Sequence, residues 1–368
     1  MKVPFAFSDR ATAESRIALD TAYRRVVDSH WFILGPEVEA FESEFAAYCG
    51  AQHCVGVGNG LEAIQLLLSC SGIGPGSEVI VASNTYIATW LGVSHAGARP
   101  VPVDPDPETL NICPHQVAKA ITPRTKAIFG THLYGRAGPC AEIDDLAHAR
   151  GLLVFWDAAH AHGATFGGTP ICQFGRGSAF SFYPTKNLGC LGDGGAVVTN
   201  DAALAADVRC RRNYGSRRRY DNECMGMNSR LDELQAAFLR AKLPGLDACN
   251  ERRAAAAEHY SRRLRGLPGI KVPDLVRGHV WHQYVIRHNQ RDKLREHLAA
   301  RAIQTDIHYP TPPHAQRVYA DLGCRTSDLP IAEAIHREVL SLPMHPYLLA
   351  DEISWVCDAV HAFVVHDQ

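Results

Sequence analysis

Between residues 54 and 199, short apolar runs alternate with helix-length amphipathic stretches, and this alternation does most to limit the fold. Strands are expected over 54–57, 79–81, 127–129, 152–156, 179–182 and 196–199, with helices over 61–69, 88–96 and 142–150. Parallel strands need a crossover of a dozen or more residues, which a helix supplies. Nearly continuous apolar runs suit strands buried on both faces. The expected fold class is therefore α/β, a mostly parallel sheet covered by helices. Ahead of the first strand Pro36 opens a helix whose Val38, Phe41 and Phe45 share a face, and Gly50 stops it.

Near Ser229 the pattern changes. Leu231, Leu234, Phe238 and Leu239 fall on one helical face, and Pro244 bends or ends that helix. An alanine- and arginine-rich helix follows over 254–264, then short strands over 283–287 and 305–308 among helices over 292–300 and 353–364. These changes divide the 368 residues into a large domain over 1–245 and a smaller C-terminal α+β domain over 246–368. Each part is long enough to bury its own core.

A net charge of −2 gives no general field for nucleic acid or an anionic membrane, so a phosphate-bearing ligand must be held by a local cluster. The twelve cysteines contain no C-x-x-C pair and suggest neither a disulfide framework nor a zinc site. No cleavable apolar leader and no apolar run of bilayer length stand in the sequence, and a reducing cytoplasm is expected.

Chemistry concentrates at strand ends. Phe180-Ser181-Phe182-Tyr183-Pro184-Thr185-Lys186 places a lysine in a tight polar turn before the glycine-rich run 192–195. Upstream, the apolar strand ending Phe155-Trp156 delivers Asp157. A turn lysine and a strand-tip carboxylate are what pyridoxal phosphate (PLP) needs: an amine to hold its aldehyde, and an acid to keep the ring nitrogen protonated. A strand-end aspartate also suits a cap or turn. The small residues around Ala158, Ala159, Ala161 and Gly163 leave room for a flat ring, with His160 placed for its phenolic oxygen and His162 read as structural.

Gly58-Asn59-Gly60, passing from strand to helix, fits a phosphate, whereas Leu61 breaks the G-x-G-x-x-G pattern of a dinucleotide site. Ser181 suits the same phosphate or a plain strand end. Tyr86 suits a stack over the ring or the core. The basic run around Arg217, Arg218 and Arg219 suits a pyrophosphate or solvated loop charge. Asn228 and Ser229 begin a helix, where a cap and an anion site coincide. His160 and His162 lack a third partner for a metal, and none is expected.

Taken in order, these segments resemble the DegT/StrS-type sugar aminotransferases, fold type I PLP enzymes acting on nucleotide-linked ketosugars. Trp31-Phe32-Ile33-Leu34-Gly35-Pro36-Glu37 resembles their N-terminal substrate loop, and Asn84-Thr85-Tyr86-Ile87-Ala88-Thr89-Trp90 and His132-Leu133-Tyr134-Gly135 resemble two strand-end motifs. His308-Tyr309-Pro310 with Pro313-His314, and Leu342-Pro343-Met344-His345, resemble their C-terminal signatures. The resemblance implies that Lys186 bonds the cofactor, Asp157 faces the pyridine nitrogen and Ser181 holds phosphate. It further implies that Asn228 reaches the phosphate of a neighbouring subunit, making a homodimer the minimal unit. His160 stands where many relatives have glutamine, and Arg219 where lysine is frequent. The wording is closest to enzymes aminating C-3 of dTDP-3-keto-6-deoxyhexoses with glutamate as donor. Trp31, Tyr183, Arg219 and His308 are expected to meet the sugar nucleotide.

Overall fold

The computed structural model describes residues 1–6, 9–218 and 220–366. Two helices open it, α1 (Asp9–Ser29) and α2 (Pro36–Tyr48). Strand and helix then alternate through β1 (His53–Val57), α3 (Gly60–Ser69), β2 (Glu78–Ala82), α4 (Ile87–His95), β3 (Arg99–Val103) and α5 (Pro114–Ala120). β4 (Thr125–Thr131), α6 (Cys140–Arg150) and β5 (Leu153–Asp157) continue the alternation. A hairpin of β6 (Thr165–Phe166) and β7 (Thr169–Pro170) leads to β8 (Gly177–Ser181) and β9 (Gly195–Thr199). Next come α7 (Ala202–Arg211), a small hairpin of β10 (Ser216–Arg218) and β11 (Asp221–Asn222), and α8 (Glu233–Lys242).

Among the described residues seven strands form one sheet in the order β1-β9-β8-β5-β4-β2-β3. Neighbours from β8 to β3 are parallel, while β9 runs against both β1 and β8. Successive strand side chains point to opposite faces. Val79, Val81 and Phe129 accordingly pack with Leu67 of α3, Trp90 of α4 and Val208 of α7. Ile80 and Ile128 pack on the other face with Val117 of α5 and Ile143 of α6. That face is closed further along by Phe41 and Phe45 of α2 against Phe180, Val198 and Leu239.

The chain after Pro244 carries α9 (Leu246–Leu264), β12 (Tyr284–Arg287), α10 (Arg291–Ala299), α11 (Pro330–Glu338), β13 (Val339–Leu342) and α12 (Ala350–His366). Pro244 lies in a single 3-10 turn that ends α8, as its missing N–H requires. The strand expected over 305–308 is instead one bridge between Asp306 and Ser341, and β12 pairs antiparallel with β13. Asp306 exchanges both backbone bonds with Ser341, at 3.2 and 2.8 Å, and its Oδ1 accepts the N–H of Ile307 at 2.8 Å. No helix among the described residues is long and apolar enough to cross a membrane.

The N-terminus of α2 is finished from a distance. Gly35 has no side chain to cap it, and buried Glu233 accepts the N–H groups of Gly35, Glu37 and Val38 at 2.7, 2.9 and 2.9 Å. A carboxylate there satisfies orphan donors and faces the positive end of the helix. Glu233→Ala is expected to cost about 3 kcal/mol of stability in urea unfolding, from three buried donors left without an acceptor. A loss under about 0.5 kcal/mol would contradict this role.

Candidate active site

The ends of β1, β2, β4, β5 and β8, and the start of reversed β9, share one edge of the sheet, where open α/β folds gather ligands. Gly195, first in β9, is paired with both Val57 and Ser181. A Cβ on Gly195 would stand 2.4 Å from the carbonyl carbon of Asn59, and one on Gly60 would stand 2.8 Å from Ser181 Cβ. Only glycines let the start of α3 settle between these strand ends. Asn59 caps α3 by accepting the Glu62 N–H at 2.9 Å, leaving the N–H groups of Gly60 and Leu61 open beside Ser181. This is an anion cradle. The Gly58 N–H is not part of it, because it donates to Ser229 Oγ at 3.0 Å.

Lys186 lies in the turn after β8, its N–H held by the Tyr183 carbonyl at 2.8 Å. Burial pulls its amine down to about 8, against an upward pull from Asp157. Asp157 ends β5, next to β8 in the sheet, and is buried. Burial pushes its carboxyl up; the Thr89 hydroxyl at 2.7 Å, the Ala159 N–H at 3.0 Å and the charge of Lys186 oppose that push. The pair therefore meets in one enclosed field.

His160 packs its ring on His282 at 4.4 Å, and its Nδ1 accepts the Tyr134 N–H at 3.3 Å. That bond assigns the ring proton to Nε2, which lies 3.5 Å from the Tyr309 hydroxyl. Tyr309 in turn meets Tyr86, their ring centroids 5.0 Å apart. His308 bonds Ser341 through Nδ1 at 2.8 Å, its carbonyl accepts the Tyr134 hydroxyl, and burial lowers its imidazole to about 4. His162 is wrapped by Phe45, Phe180 and Phe182, a packing role. No cluster of three metal-ligating side chains occurs among the described residues.

The other expected residues lie at the surface where they are described. Trp31 is exposed, with Nε1 donating to the Ile33 carbonyl at 2.8 Å and its ring under Gly35. Tyr183 is exposed, as is Asn228, whose backbone bridges to Asn213. Arg217 of the basic run is engaged by Asp207 and Glu223 at 3.1 and 3.0 Å, and Arg219 lies outside the described residues. Sequence reasoning singled out neither Thr89 nor Tyr309. Each stands inside a motif quoted above, but only the fold reveals that one reaches Asp157 and the other His160.

A model of the DegT/DnrJ/EryC1/StrS aminotransferase family matches residues 16–361. A dTDP-3-amino-3,4,6-trideoxy-alpha-D-glucose transaminase of Streptomyces venezuelae is 50% identical over 361 residues, which span 98% of this chain and 95% of the relative. The crystal structure of DesV from S. venezuelae is similar at a TM-score of 0.97 and 50% identity, covering 99% of this chain and 98% of that one. NtdA of Bacillus subtilis, crystallised with bound cofactor PMP, matches at 0.93 and 30% identity, covering 99% and 85%. With the family match running through nearly the whole chain, strand-end lysine and acid included, this chain belongs to the DegT/DnrJ/EryC1/StrS aminotransferase family.

Proposed function

We propose that this chain moves an amino group from L-glutamate to C-3 of a dTDP-linked 3-keto-6-deoxyhexose, with pyridoxal phosphate as cofactor. Lys186, in the turn after β8, meeting the charge of Asp157 at the end of neighbouring β5 carries the cofactor assignment. The 50% identity to a dTDP-3-amino sugar transaminase along both chains supports the substrate. The site fits the cofactor: a lowered amine, an enclosed acid, and open N–H groups at a glycine-bounded helix start. Bound PLP supplies an aldehyde and an electron-withdrawing ring that accepts the electron pair released at the carbon bearing the amine.

Each residue then has a task. Lys186 takes the proton from the donor carbon and returns it to the acceptor carbon, which an amine near 8 does at neutral pH. Asp157 holds the ring nitrogen cationic. Gly60, Leu61 and Ser181 hold the phosphate, and His160 offers its Nε2 proton to the phenolic oxygen. Asn228 reaches the phosphate of a second subunit, and Trp31, Tyr183, Arg219 and His308 attend the sugar nucleotide. Exposed Trp31, Phe32, Tyr214 and Met225 favour a homodimer, since such side chains seek cover. Residues 1–245 and 246–368 act as a large cofactor-binding part and a small part; the apolar core around Tyr260, Tyr284 and Val360 supports the small part and also takes in Val3. A reducing cytoplasm suits the free, mostly buried thiols.

Incubation with PLP, L-glutamate and dTDP-3-keto-6-deoxyhexoses is expected to yield 2-oxoglutarate and a 3-amino sugar by NMR. Amination at C-4, or dehydration without amine gain, contradicts the proposal. Lys186 itself has a second test. Reductive methylation of the apoprotein by formaldehyde and cyanoborohydride needs the neutral amine, whose fraction rises with pH. Labelling of Lys186 should reach half its maximal rate near pH 8, whereas an ordinary lysine follows 10.5. Half-maximal labelling at 10 or above contradicts the enclosed site.

A further inference from the structure

Asp157 is approached by a line of hydroxyls drawn from three different elements. Thr89, in the first turn of α4, donates to Asp157 Oδ2 at 2.7 Å. Thr85, in the segment between β2 and α4, lies 2.9 Å from the Thr89 hydroxyl. Thr131 ends β4, is paired with Asp157 across the sheet, and donates to Thr85 at 3.1 Å. Thr85 and Thr89 are at most 1% exposed and Thr131 is 6% exposed.

A hydroxyl has one proton to give. With Asp157 ionised, Thr89 must spend its proton on the carboxylate, so it can only accept from Thr85. Thr85 has then used its own proton and accepts from Thr131. One charge thus fixes the direction of all three bonds, and hydrogen bonds in series polarise one another. The other groups facing Asp157 are the Ala159 N–H, Lys186 and Tyr309.

We infer that Thr131, Thr85 and Thr89 form a one-way hydroxyl relay that positions Asp157 and sets how strongly it holds the cofactor's ring nitrogen. The inference rests on the cofactor reading above. These threonines are positioning residues: they act through Asp157. Weakening the relay makes the carboxylate a stronger base, draws the shared proton from the ring nitrogen, and leaves the ring a poorer acceptor of electrons. Thr85→Val interrupts the relay at its middle with little change of shape and leaves the Thr89–Asp157 contact in place.

The test uses PLP-loaded holoenzyme of Thr85→Val, Thr85→Ser, Thr131→Val and Asp157→Asn. The readouts are deuterium exchange at Cα of glutamate and its KM, the cofactor dissociation constant, the absorbance spectrum of the bound cofactor, and the melting temperature. Thr85→Val is expected to slow exchange about threefold, the share of a charge-assisted hydrogen bond that neutral bonds in series behind it add, with KM for glutamate within about twofold of wild type. Thr131→Val should show a smaller loss of the same kind, and Thr85→Ser should restore the rate. Melting temperatures separate a packing defect, which serine would not repair. Wild-type exchange and spectrum in Thr85→Val, or no rescue by serine, overturn the relay. If Asp157→Asn also leaves spectrum and cofactor affinity unchanged, the cofactor reading fails instead.

Discussion

Lys186→Ala is expected to lower turnover by roughly 10⁴-fold or more, since one side chain supplies both the nucleophile and the proton shuttle. The structure leaves no substitute close by. His160, His282 and His308 surround the same space, but burial, which the substitution leaves in place, holds each imidazole below its ordinary range and makes it a weak base. They are neutral and hydrogen-bonded elsewhere, His282 to Asn187 at 3.1 Å and His308 to Ser341. The variant should stay folded, because removing a buried amine lifts a desolvation cost rather than breaking a bond. Single-turnover assays with glutamate check the prediction, and activity within tenfold of wild type would sink it.

Asp157→Asn is the second large expectation, a loss of roughly 10³-fold, comparable to removing a preorganised electrostatic partner. Asparagine has nearly the same shape but puts an NH2 with two donor protons where the carboxylate has none. If its Oδ1 keeps the Ala159 N–H, its Nδ2 must face the Thr89 hydroxyl, which has to turn round and reverse the line of bonds behind it. If its Oδ1 instead keeps Thr89, the Ala159 N–H loses its acceptor. Neither arrangement offers a negative charge to the ring nitrogen. Thermal stability should change little while cofactor affinity falls; equilibrium dialysis with PLP and a melting curve measure both. Unchanged affinity and turnover would remove Asp157 from the site.

Much of this molecule was legible because its strands are short apolar runs set between amphipathic helices. β1, β2, β4, β5, β8 and β9 all fall where periodicity expects them, within a residue or two. β3 carries no strand signal, because Pro100 and Pro102 interrupt it. The fold explains their tolerance: β3 is the edge strand, paired with β2 alone, and a missing N–H costs nothing on the free side. α1 was also missed. Its buried Ala22 and Val26 make a narrow stripe that covers Ala237 and Phe238 of α8, a partner more than two hundred residues away that no local window contains.

The site shows the same division. Lys186, Asp157 and the Asn59–Gly60 turn were legible because each sits at a strand end with unusual neighbours. Thr85, Thr89 and Thr131 carry no signal of their own; a threonine in a strand or helix is ordinary until the topology stacks three of them behind one carboxylate. Glu233 is similar, reading as a helix-start acid of α8 although its carboxylate serves α2.

Borohydride reduction of the PLP-loaded protein, followed by peptide mass spectrometry, tests the central claim most directly. A single pyridoxyl group on Lys186, lost in Lys186→Ala, is the predicted result. A label on another lysine with Lys186 unmodified would contradict the account.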